Sequence, residues 1–351
     1  MKEIEGSRLL PFALSFFVAA LTVYLLIVGK NLLIPLAMAV LIWYIINAIA
    51  NGYGRIRIGR FSMPRTVAMA LALLTTALVI LLIVNLISGS VSGVTQSAPQ
   101  YQANLQKLLQ KVAVLLRLKE IPSISGLIDQ LDVTNVITGM VRGLTAVAQD
   151  TGIVLIYLLF LLLEQRTFDK KLTAIFLEPG REDEMRKILM RIGADIRTYL
   201  WIKSLLALIA GVIAYVVMAA VGLDFAPFWA FIIALLYFIP TVGTVLGLIF
   251  PAILALLQFD SLVPFLVVTI VIGVAEMFIA NIVEPRMMGK SLNISGFVMI
   301  VALVVWGSIW GVAGMFLCIP ITVIMMIVFS NFRQTRAIAV LLSSDGYIKK
   351  P

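Results

Sequence analysis

Hydrophobic residues in this chain occur in long continuous runs and do not alternate strictly with polar ones. A run of about 20 apolar residues matches a helix that crosses a bilayer, whereas the strands of a membrane barrel alternate with a period of two. The runs therefore predict transmembrane helices, whose backbone polar groups are satisfied internally. Six runs are predicted to be full spans: Leu9–Val28, Leu32–Ala50, Thr66–Ile87, Leu144–Leu163, Tyr199–Val221 and Leu262–Val283.

A further apolar run, residues 226–257, is interrupted in its middle. Pro240-Thr-Val-Gly243 breaks it into two pieces that are each short for a span. Acidic residues flank the run, with Asp224 before it and Asp260 after it. We therefore expect a re-entrant helical hairpin that enters and leaves the membrane on the same side.

The last apolar stretch, residues 296–329, repeats this pattern. Gly307 and the segment Gly311-Val-Ala-Gly314 interrupt it. Arg333 and Arg336 follow it, so we expect both of its ends on the cytoplasmic side. It is predicted to be either two short spans or a second re-entrant hairpin.

The block from residue 88 to 143 is the least apolar one between predicted spans. It opens with the Gly/Ser-rich stretch Ser88–Ser97, which predicts a polar connector. Apolar residues then recur at 4-3-4-3 spacing, as on one face of a helix. Two interpretations stay open: an amphipathic helix that caps the bundle or lies at the interface, and a subunit contact or lid. The stripe consists of Tyr101, Leu105, Leu108, Val112 and Leu115.

Charge predicts the orientation of the spans. The loop Asn51–Arg65 carries four arginines and no acidic residue, so we place it in the cytoplasm. Alternation then puts 88–143 outside and both termini inside, with the first helical hairpin retained and not cleaved. Lys203, early in the fifth span, is expected to snorkel to the interface. The predicted divisions are helices 1–3 in 1–87, the outer helical region 88–143, the fourth span with a cytoplasmic basic helix in 144–198, the transport core 199–330 and the cytoplasmic tail 331–351.

Composition excludes a soluble globular protein. The chain of 351 residues is 62% hydrophobic and 13% charged, against roughly 45–50% and 25% for soluble domains. The predicted fold class is an all-α polytopic integral membrane protein with about six full transmembrane helices and two broken or re-entrant hairpins, roughly eight membrane segments. The net charge of +9 is interpreted as topology signals and attraction to membrane lipid, not as nucleic-acid binding.

Little in the sequence points to an enzyme. The chain has no histidine and one cysteine, Cys318, which removes the commonest metal ligand and the usual neutral-pH base. It contains no P-loop and no G-x-S-x-G motif. We therefore expect no metal, no cofactor and no catalytic residues.

The two interrupted runs form the first candidate site. Each follows a predicted full span, and the two are expected to enter from opposite faces, which is the layout of an inverted repeat. Free backbone groups at such breaks can bind a polar solute or an ion. The alternative is that the glycines only allow close helix packing. The candidate pathway residues are Tyr237, Pro240, Thr241, Gly243, Thr244, Gly311 and Gly314.

A second candidate site lies on the sixth span. Glu276 falls inside an apolar run, where an ionisable side chain is costly and usually functional. At 100° per residue, Glu276, Asn281 and Glu284 share one broad helix face. One interpretation is a proton- or cation-responsive carboxylate on a transport path; the other is a structural carboxylate that fastens helices together. Glu284 and Arg286 are expected to form an interfacial ion pair.

Four stretches of the chain resemble a known family. They are Ile239-Pro-Thr-Val-Gly243, Asn281-Ile-Val-Glu-Pro-Arg-Met-Met-Gly-Lys-Ser291, Trp310-Gly-Val-Ala-Gly-Met-Phe-Leu-Cys-Ile-Pro320 and Ala337-Ile-Ala-Val-Leu-Leu-Ser-Ser-Asp345. Together they resemble the autoinducer-2 exporter family of bacterial inner-membrane proteins, closest to its quorum-signal exporter branch. The resemblance implies export of autoinducer-2, antiporter activity toward sodium or lithium in some members, and a homo-oligomer such as a pentamer. The chain departs from the family pattern in two places. Before Glu-Pro-Arg it has Glu276 and the apolar Ile279-Ala280 where many members have a polar Gln or Asn/Asp cluster, and it has Ser295-Gly296 where many have His-Pro.

These observations predict an inner-membrane secondary transporter that exports a small polar signal or metabolite and is coupled to the proton gradient. A monovalent cation/proton antiporter is the alternative within transport, and an uncoupled channel-like oligomeric scaffold is the alternative outside it. Alternating access would involve both hairpins and the span of Glu276. The predicted gating hinge consists of Glu284, Pro285, Arg286 and Gly289.

Overall fold

The computed structural model describes residues 2–55, 57–58, 61–115, 151–165, 167–175, 181–288 and 293–346. Over these residues the chain is helical apart from a two-stranded antiparallel hairpin, β1 (Arg57–Ile58) and β2 (Phe61–Ser62), with Arg57 opposite Ser62. The helices are α1 (Lys2–Val28), α2 (Lys30–Gly54), α3 (Arg65–Leu115), α4 (Thr151–Glu164), α5 (Phe168–Ile175), α6 (Arg181–Val221), α7 (Ala226–Leu236), α8 (Val242–Gln258), α9 (Leu262–Met288), α10 (Gly296–Asn331) and α11 (Arg336–Leu342).

The predicted class, an all-helical polytopic membrane protein, is confirmed. Among the described residues, five helices are long and apolar enough to cross a membrane: α2, the Arg65–Ser90 part of α3, α6, α9 and α10. Shorter apolar helices are Phe16–Val28 of α1, then α4, α7 and α8. Residues 144–150 of the predicted fourth span lie outside the described part of the chain.

The chain divides into two compact units. One consists of Met1–Tyr44, Thr151–Ile196 and Asn293–Pro351, and the other of Ile45–Asp150 and Arg197–Leu292. We call the second one the hairpin unit because it contains α7 and α8, and the first one the terminal unit.

Helix α6 has one apolar face that packs against other helices and another apolar face that is exposed. Its residues at four-residue spacing, Leu206, Ala210, Ala214 and Met218, are 0–3% exposed. Leu208, Val212 and Val216 on another face are 52–62% exposed. Both faces are hydrophobic, as in a membrane span, and the packed one includes two alanines, which allow neighbouring helices to approach closely.

The predicted interruption of residues 226–257 is a tight helical turn. Helix α7 ends at Leu236, α8 begins at Val242, and the two helices pack against each other. Gln258 ties the two ends together, because its side chain accepts from the Asp224 N–H at 2.7 Å and donates to the Gly222 carbonyl at 2.9 Å. The segment is therefore a helical hairpin with both ends at one place, and its re-entrant placement in a membrane stays a prediction.

The predicted connector Ser88–Ser97 is wrong, because α3 continues through it as helix to Leu115. Tertiary contacts of the hairpin unit compensate for the weak helix propensity of these serines and glycines. Tyr101 is 2% exposed and donates to Asp224 Oδ2 at 2.9 Å, and Asn104 Nδ2 donates to the Leu257 carbonyl at 2.8 Å. The stripe therefore begins as a helix that caps the hairpin's ends; the side chains of Leu105, Leu108, Val112 and Leu115 lie outside the described ones.

In the terminal unit, α10 is also two helices joined at a reversal. Gly311 adopts φ 62° and ψ −140°, which a residue with a side chain rarely does. The arms 296–310 and 312–331 approach closely, because a Cβ added at Gly314 would overlap the carbonyl oxygen of Trp306. Trp310 Nε1 donates to the Leu26 carbonyl of α1 at 3.0 Å. The interruption predicted in 296–329 is thus a sharp break in the helix.

The C-terminal residues of the terminal unit pack back on the start of α10. Helix α11 contacts α10, and Ile294 forms an antiparallel bridge with Ser343. The Ser295 N–H donates to the Leu342 carbonyl at 3.1 Å. The tail is therefore tied to the segment that leads into α10.

Candidate functional site

A buried ionic cluster lies where the tip of the α7–α8 hairpin meets α6 and α9. Lys203 Nζ is 2.6 Å from Glu284 Oε1, and the two side chains are 6% and 18% exposed. The Tyr237 hydroxyl donates to the other carboxylate oxygen of Glu284 at 3.0 Å. Two helices and the hairpin turn are joined by one hydrogen-bonded set of side chains, which we call the tip cluster: Lys203, Tyr237 and Glu284.

The position of Tyr237 explains why a lysine is tolerated here. Tyr237 directly follows the last residue of α7, where helix carbonyl groups lack partners and the helix dipole favours a cation. Lys203 Nζ lies 3.5 Å from the Tyr237 carbonyl oxygen and 4.8 Å from the centroid of its ring. Carbonyl, ring and carboxylate together replace the water that the ammonium group loses on burial.

Lys203 corrects the sequence-based prediction. It does not snorkel: the residue is 5% exposed and its ammonium is paired with Glu284. The partner expected for Glu284, Arg286, is itself exposed, as is Pro285. The available signal was that Lys203 and Glu284 each lie near the predicted cytoplasmic end of a span, so that two packed spans could pair them.

Glu276 lies deeper on α9, eight residues before Glu284, or about 12 Å along a helix. It is 5% exposed, and its Oε1 atom has no hydrogen-bond partner among the described residues. This oxygen faces α8 at Gly247, since a Cβ added there would lie 3.6 Å from it. The carboxylate therefore lies against the hairpin and retains an acceptor that no described group uses.

Two other buried polar atoms of the hairpin unit have no hydrogen-bond partner among the described residues. They are Trp229 Nε1 on α7 and Thr269 Oγ1 on α9. Thr269 precedes Glu276 by seven residues, or about 10 Å along the helix. Sequence patterning did not single out either residue, because both fit an apolar helix. Unsatisfied buried polar atoms are rare in native structures, and they are candidates for binding a polar solute.

The backbone of α9 is irregular on both sides of Glu276. Residues Val268–Ile272 and Ile279–Val283 form i→i+5 hydrogen bonds in place of the usual i→i+4 pattern. Such π-type turns are uncommon and occur often at functional sites. They also change the angle between successive side chains, so the projection at 100° per residue does not hold here.

Asn281 does not share the buried environment of Glu276. Its side chain is exposed and donates to the Met277 carbonyl at 2.9 Å, whereas Glu276 is buried. The structure thus does not bring Asn281 to Glu276, although the sequence placed them on one face. Its role in the pathway remains a prediction, and Gly289 of the predicted hinge lies outside the described residues.

The predicted pathway residues of the first hairpin cluster at its turn. Thr241 adopts φ 57°, and its hydroxyl donates to the Pro240 carbonyl at 2.7 Å. The Thr244 hydroxyl donates to the Thr241 carbonyl at 2.8 Å. Both hydroxyls therefore hold the turn together in this conformation. Gly243 lets the arms meet, because a Cβ there would overlap the Leu236 carbonyl oxygen.

The two hairpins share this local geometry. Gly243 in the first and Gly314 in the second each lie against a carbonyl oxygen of the preceding arm, with no room for a Cβ atom. Within the described residues, no group of three or more His, Cys, Asp or Glu side chains is placed to hold a metal ion. The chemistry available at the site is therefore that of buried carboxylates, an ammonium group, hydroxyls and helix ends.

Apolar helices of membrane length, a broken helical hairpin and ionisable groups buried against it define a polytopic membrane protein. The chain belongs to the AI-2E transporter family: the family model, described as "AI-2E family transporter", matches residues 14–334. The resemblance seen in four motifs is thereby confirmed. This is a transporter family and not an enzyme family.

Individual relatives are more distant. A putative transport protein of Borreliella burgdorferi is 34% identical over 194 residues, 55% of this chain and 53% of the relative. The AI-2 transport protein TqsA of Escherichia coli (strain K12) is 30% identical over 216 residues, 62% of each chain. The putative transport protein YhhT of the same strain is 29% identical over 214 residues, 61% of this chain and 60% of YhhT. The chain thus matches between half and two thirds of the length of these relatives.

Proposed function

We propose that this protein is a secondary transporter that exports a small polar signal or metabolite and is driven by the proton gradient. Membership of a transporter family supports the class. The relative TqsA, named an AI-2 transport protein, makes autoinducer-2 the first solute to test. The absence of a P-loop from the sequence agrees with coupling to a gradient.

The observation that carries this proposal is the carboxylate of Glu276. An ionised carboxylate with an unused acceptor is costly in an apolar environment, so it must take up a proton, a cation or a polar solute. Glu276 Oε1 lies against α8 and has no partner among the described residues. A buried group that changes its occupant is what coupling of solute movement to a proton requires.

The tip cluster supplies the conformational element of the proposal. Lys203 and Glu284 hold the hairpin turn to α6 and α9 through Tyr237. Binding of a proton or a cation to the Glu276 carboxylate neutralises its charge beside α8 and thereby alters how α8 packs on α9. We propose that the hairpin rocks between two positions, with the tip cluster closing one end of the pathway and opening it when its ion pair separates.

The test uses purified protein in proteoliposomes loaded with autoinducer-2. Efflux should accelerate when an inward proton gradient is imposed, and Glu276→Gln should abolish this pH dependence while preserving expression and folding. Glu184→Gln, which alters an exposed carboxylate in the first turn of α6, is the matched control and should behave as wild type. Efflux that ignores the proton gradient, or an unchanged pH profile in Glu276→Gln, would refute the proposal.

A monovalent cation/proton antiporter is the second candidate. The observation that favours it is again the unused oxygen of Glu276, since carboxylate oxygens are ligands that hard cations prefer. Adding sodium or lithium to vesicles that contain a pH-sensitive dye should then move protons in wild type and not in Glu276→Gln. Solute or ion flux that is independent of both gradients would support an uncoupled, channel-like protein instead.

Location and assembly are part of the same proposal. We propose an inner-membrane protein with both termini in the cytoplasm, which single-cysteine labelling of each terminus in intact cells would test. We also propose a homo-oligomer, for which the mass of the detergent-solubilised protein is the measurement. A terminus labelled from outside, or a monomer at all concentrations, would contradict the respective part.

A further inference from the structure

A cavity of about 420 Å³ in the hairpin unit lies between the end of α2 and the start of α3. It is distant in sequence from the tip cluster and from Glu276, and neither of the transport candidates uses it. The β1–β2 hairpin connects the two helices beside it. The described residues that line it include Asn47, Ala50, Asn51, Arg55, Arg65 and Ala68.

The polar groups of this cavity are suited to an anion. Arg55 and Arg65 each carry a guanidinium that can donate two parallel hydrogen bonds to a phosphate, and Asn47 and Asn51 add amide groups. None of the described lining residues is Asp or Glu. The whole connecting segment, residues 51–65, contains four arginines and no acid.

The cavity has room for a ligand and walls that hold their position. Small residues line it, and Ala50 and Ala68 are 5% and 1% exposed. The Tyr53 hydroxyl and Thr75 Oγ1 lie 2.9 Å apart and join α2 to α3 nearby. The first turn of α3 contributes Arg65, Ala68 and Met69 to the lining, so the positive end of its helix dipole lies at the cavity.

The location determines which phosphate can reach it. The cavity lies at the connection between two helices long and apolar enough to span the membrane, hence at the level of the lipid headgroups. Val67 and Leu74 on α3 are 46% and 69% exposed, and they offer apolar surface along which an acyl chain can lie. We propose that this cavity binds the phosphate of an anionic phospholipid headgroup.

The alternative explanation is that the arginines only set the orientation of the loop and attract anionic lipid without a specific site. The two explanations differ in geometry. A specific site requires Arg55 and Arg65 in particular, whereas diffuse attraction depends on the total positive charge. The full-length protein with paired substitutions can separate them.

The experiment measures phospholipid binding to the detergent-purified full-length protein by native mass spectrometry. Phosphatidylglycerol should bind wild type more tightly than phosphatidylcholine. The variant Arg55→Gln/Arg65→Gln should bind phosphatidylglycerol about thirty-fold more weakly, because each arginine near anionic lipid raises the binding affinity by a factor of roughly five to six. The control Arg333→Gln/Arg336→Gln removes two exposed arginines elsewhere and should keep wild-type affinity.

Two further arms complete the test. Asn51→Glu, at an exposed position of α2, introduces an acid into the cavity and should abolish phosphatidylglycerol binding even if the double variant fails to fold. Excess inorganic phosphate should compete with the lipid only weakly. Equal weakening in both arginine pairs, or unchanged binding in Asn51→Glu, would overturn the site. Arginine-dependent binding of inorganic phosphate without binding of phosphatidylglycerol would overturn the headgroup assignment.

Discussion

Replacing Lys203 by methionine tests whether the tip cluster holds the hairpin in place. Methionine fills a similar volume but leaves Glu284 and the Tyr237 carbonyl without their cation. The charges lie 2.6 Å apart, which corresponds to an attraction of about 6 kcal/mol at an effective dielectric constant of about 20, largely offset by desolvation. Because both side chains are mostly buried, breaking the pair should cost about 3–5 kcal/mol of unfolding free energy.

Removing both charges should cost far less than removing one. In Lys203→Met/Glu284→Gln no buried charge lacks a partner, and the amide oxygen can still accept from the Tyr237 hydroxyl. We expect a loss of about 0–1 kcal/mol for the double variant, and hence a coupling free energy of about 3 kcal/mol or more. The measurement is unfolding in mixed micelles, followed by tryptophan fluorescence as the fraction of denaturing detergent rises.

The control is Lys187→Met, an exposed lysine on the same helix, which should change the unfolding free energy by less than about 0.5 kcal/mol. A cost below about 1 kcal/mol for Lys203→Met would show that the pair does not form. A double variant as unstable as the sum of the singles would show that Lys203 and Glu284 act independently.

One further prediction concerns Tyr101, which contacts the open end of the α7–α8 hairpin, and another concerns the turns of both hairpins. Burial, with the hydrogen bond to Asp224, raises the pKa of Tyr101 above its ordinary value of 10.0, so its contribution to stability should be constant below about pH 10 and decline as pH rises further. Tyr101→Phe should cost about 1–2 kcal/mol in unfolding assays and lose this alkaline decline; an unchanged pH profile would contradict the assignment. Gly243→Ala and Gly314→Ala should each cost more than about 3 kcal/mol in the same assay, because a Cβ has no room, whereas Gly152→Ala in open helix surface should be neutral or slightly stabilising. Near-neutral values at 243 and 314 would show that the arms separate easily.

The interrupted helices could be read from the sequence because the signals are local. The backbone nitrogen of Pro240 cannot donate a hydrogen bond. Gly243 allows the two arms to approach closely, and Gly311 adopts backbone dihedral angles that residues with a side chain rarely adopt. The connector at Ser88–Ser97 was predicted wrongly for the opposite reason. Its local propensity disfavours a helix, but the contacts of Tyr101 and Asn104 with distant residues override it.

The ionisable residues were identified from the sequence, but not their partners. Glu276 was conspicuous because an apolar run surrounds it. Its separation from Asn281 is shown only by the structure, in which Glu276 is buried and the side chain of Asn281 is exposed. Lys203 looked like a side chain that reaches water, and only its neighbour 81 positions later in the chain, Glu284, shows otherwise.

Hydrophobicity and the placement of proline, glycine and charge determined the class of this protein, its apolar helical runs and the positions of both breaks. They could do so because each depends on residues within one or two helical turns. Tertiary structure alone decided which charge pairs with which, and that one oxygen of Glu276 has no hydrogen-bond partner in the part of the chain that the structure describes. A buried ionisable group is stabilised or strained by groups from other helices, and sequence spacing does not reveal which helices will pack together.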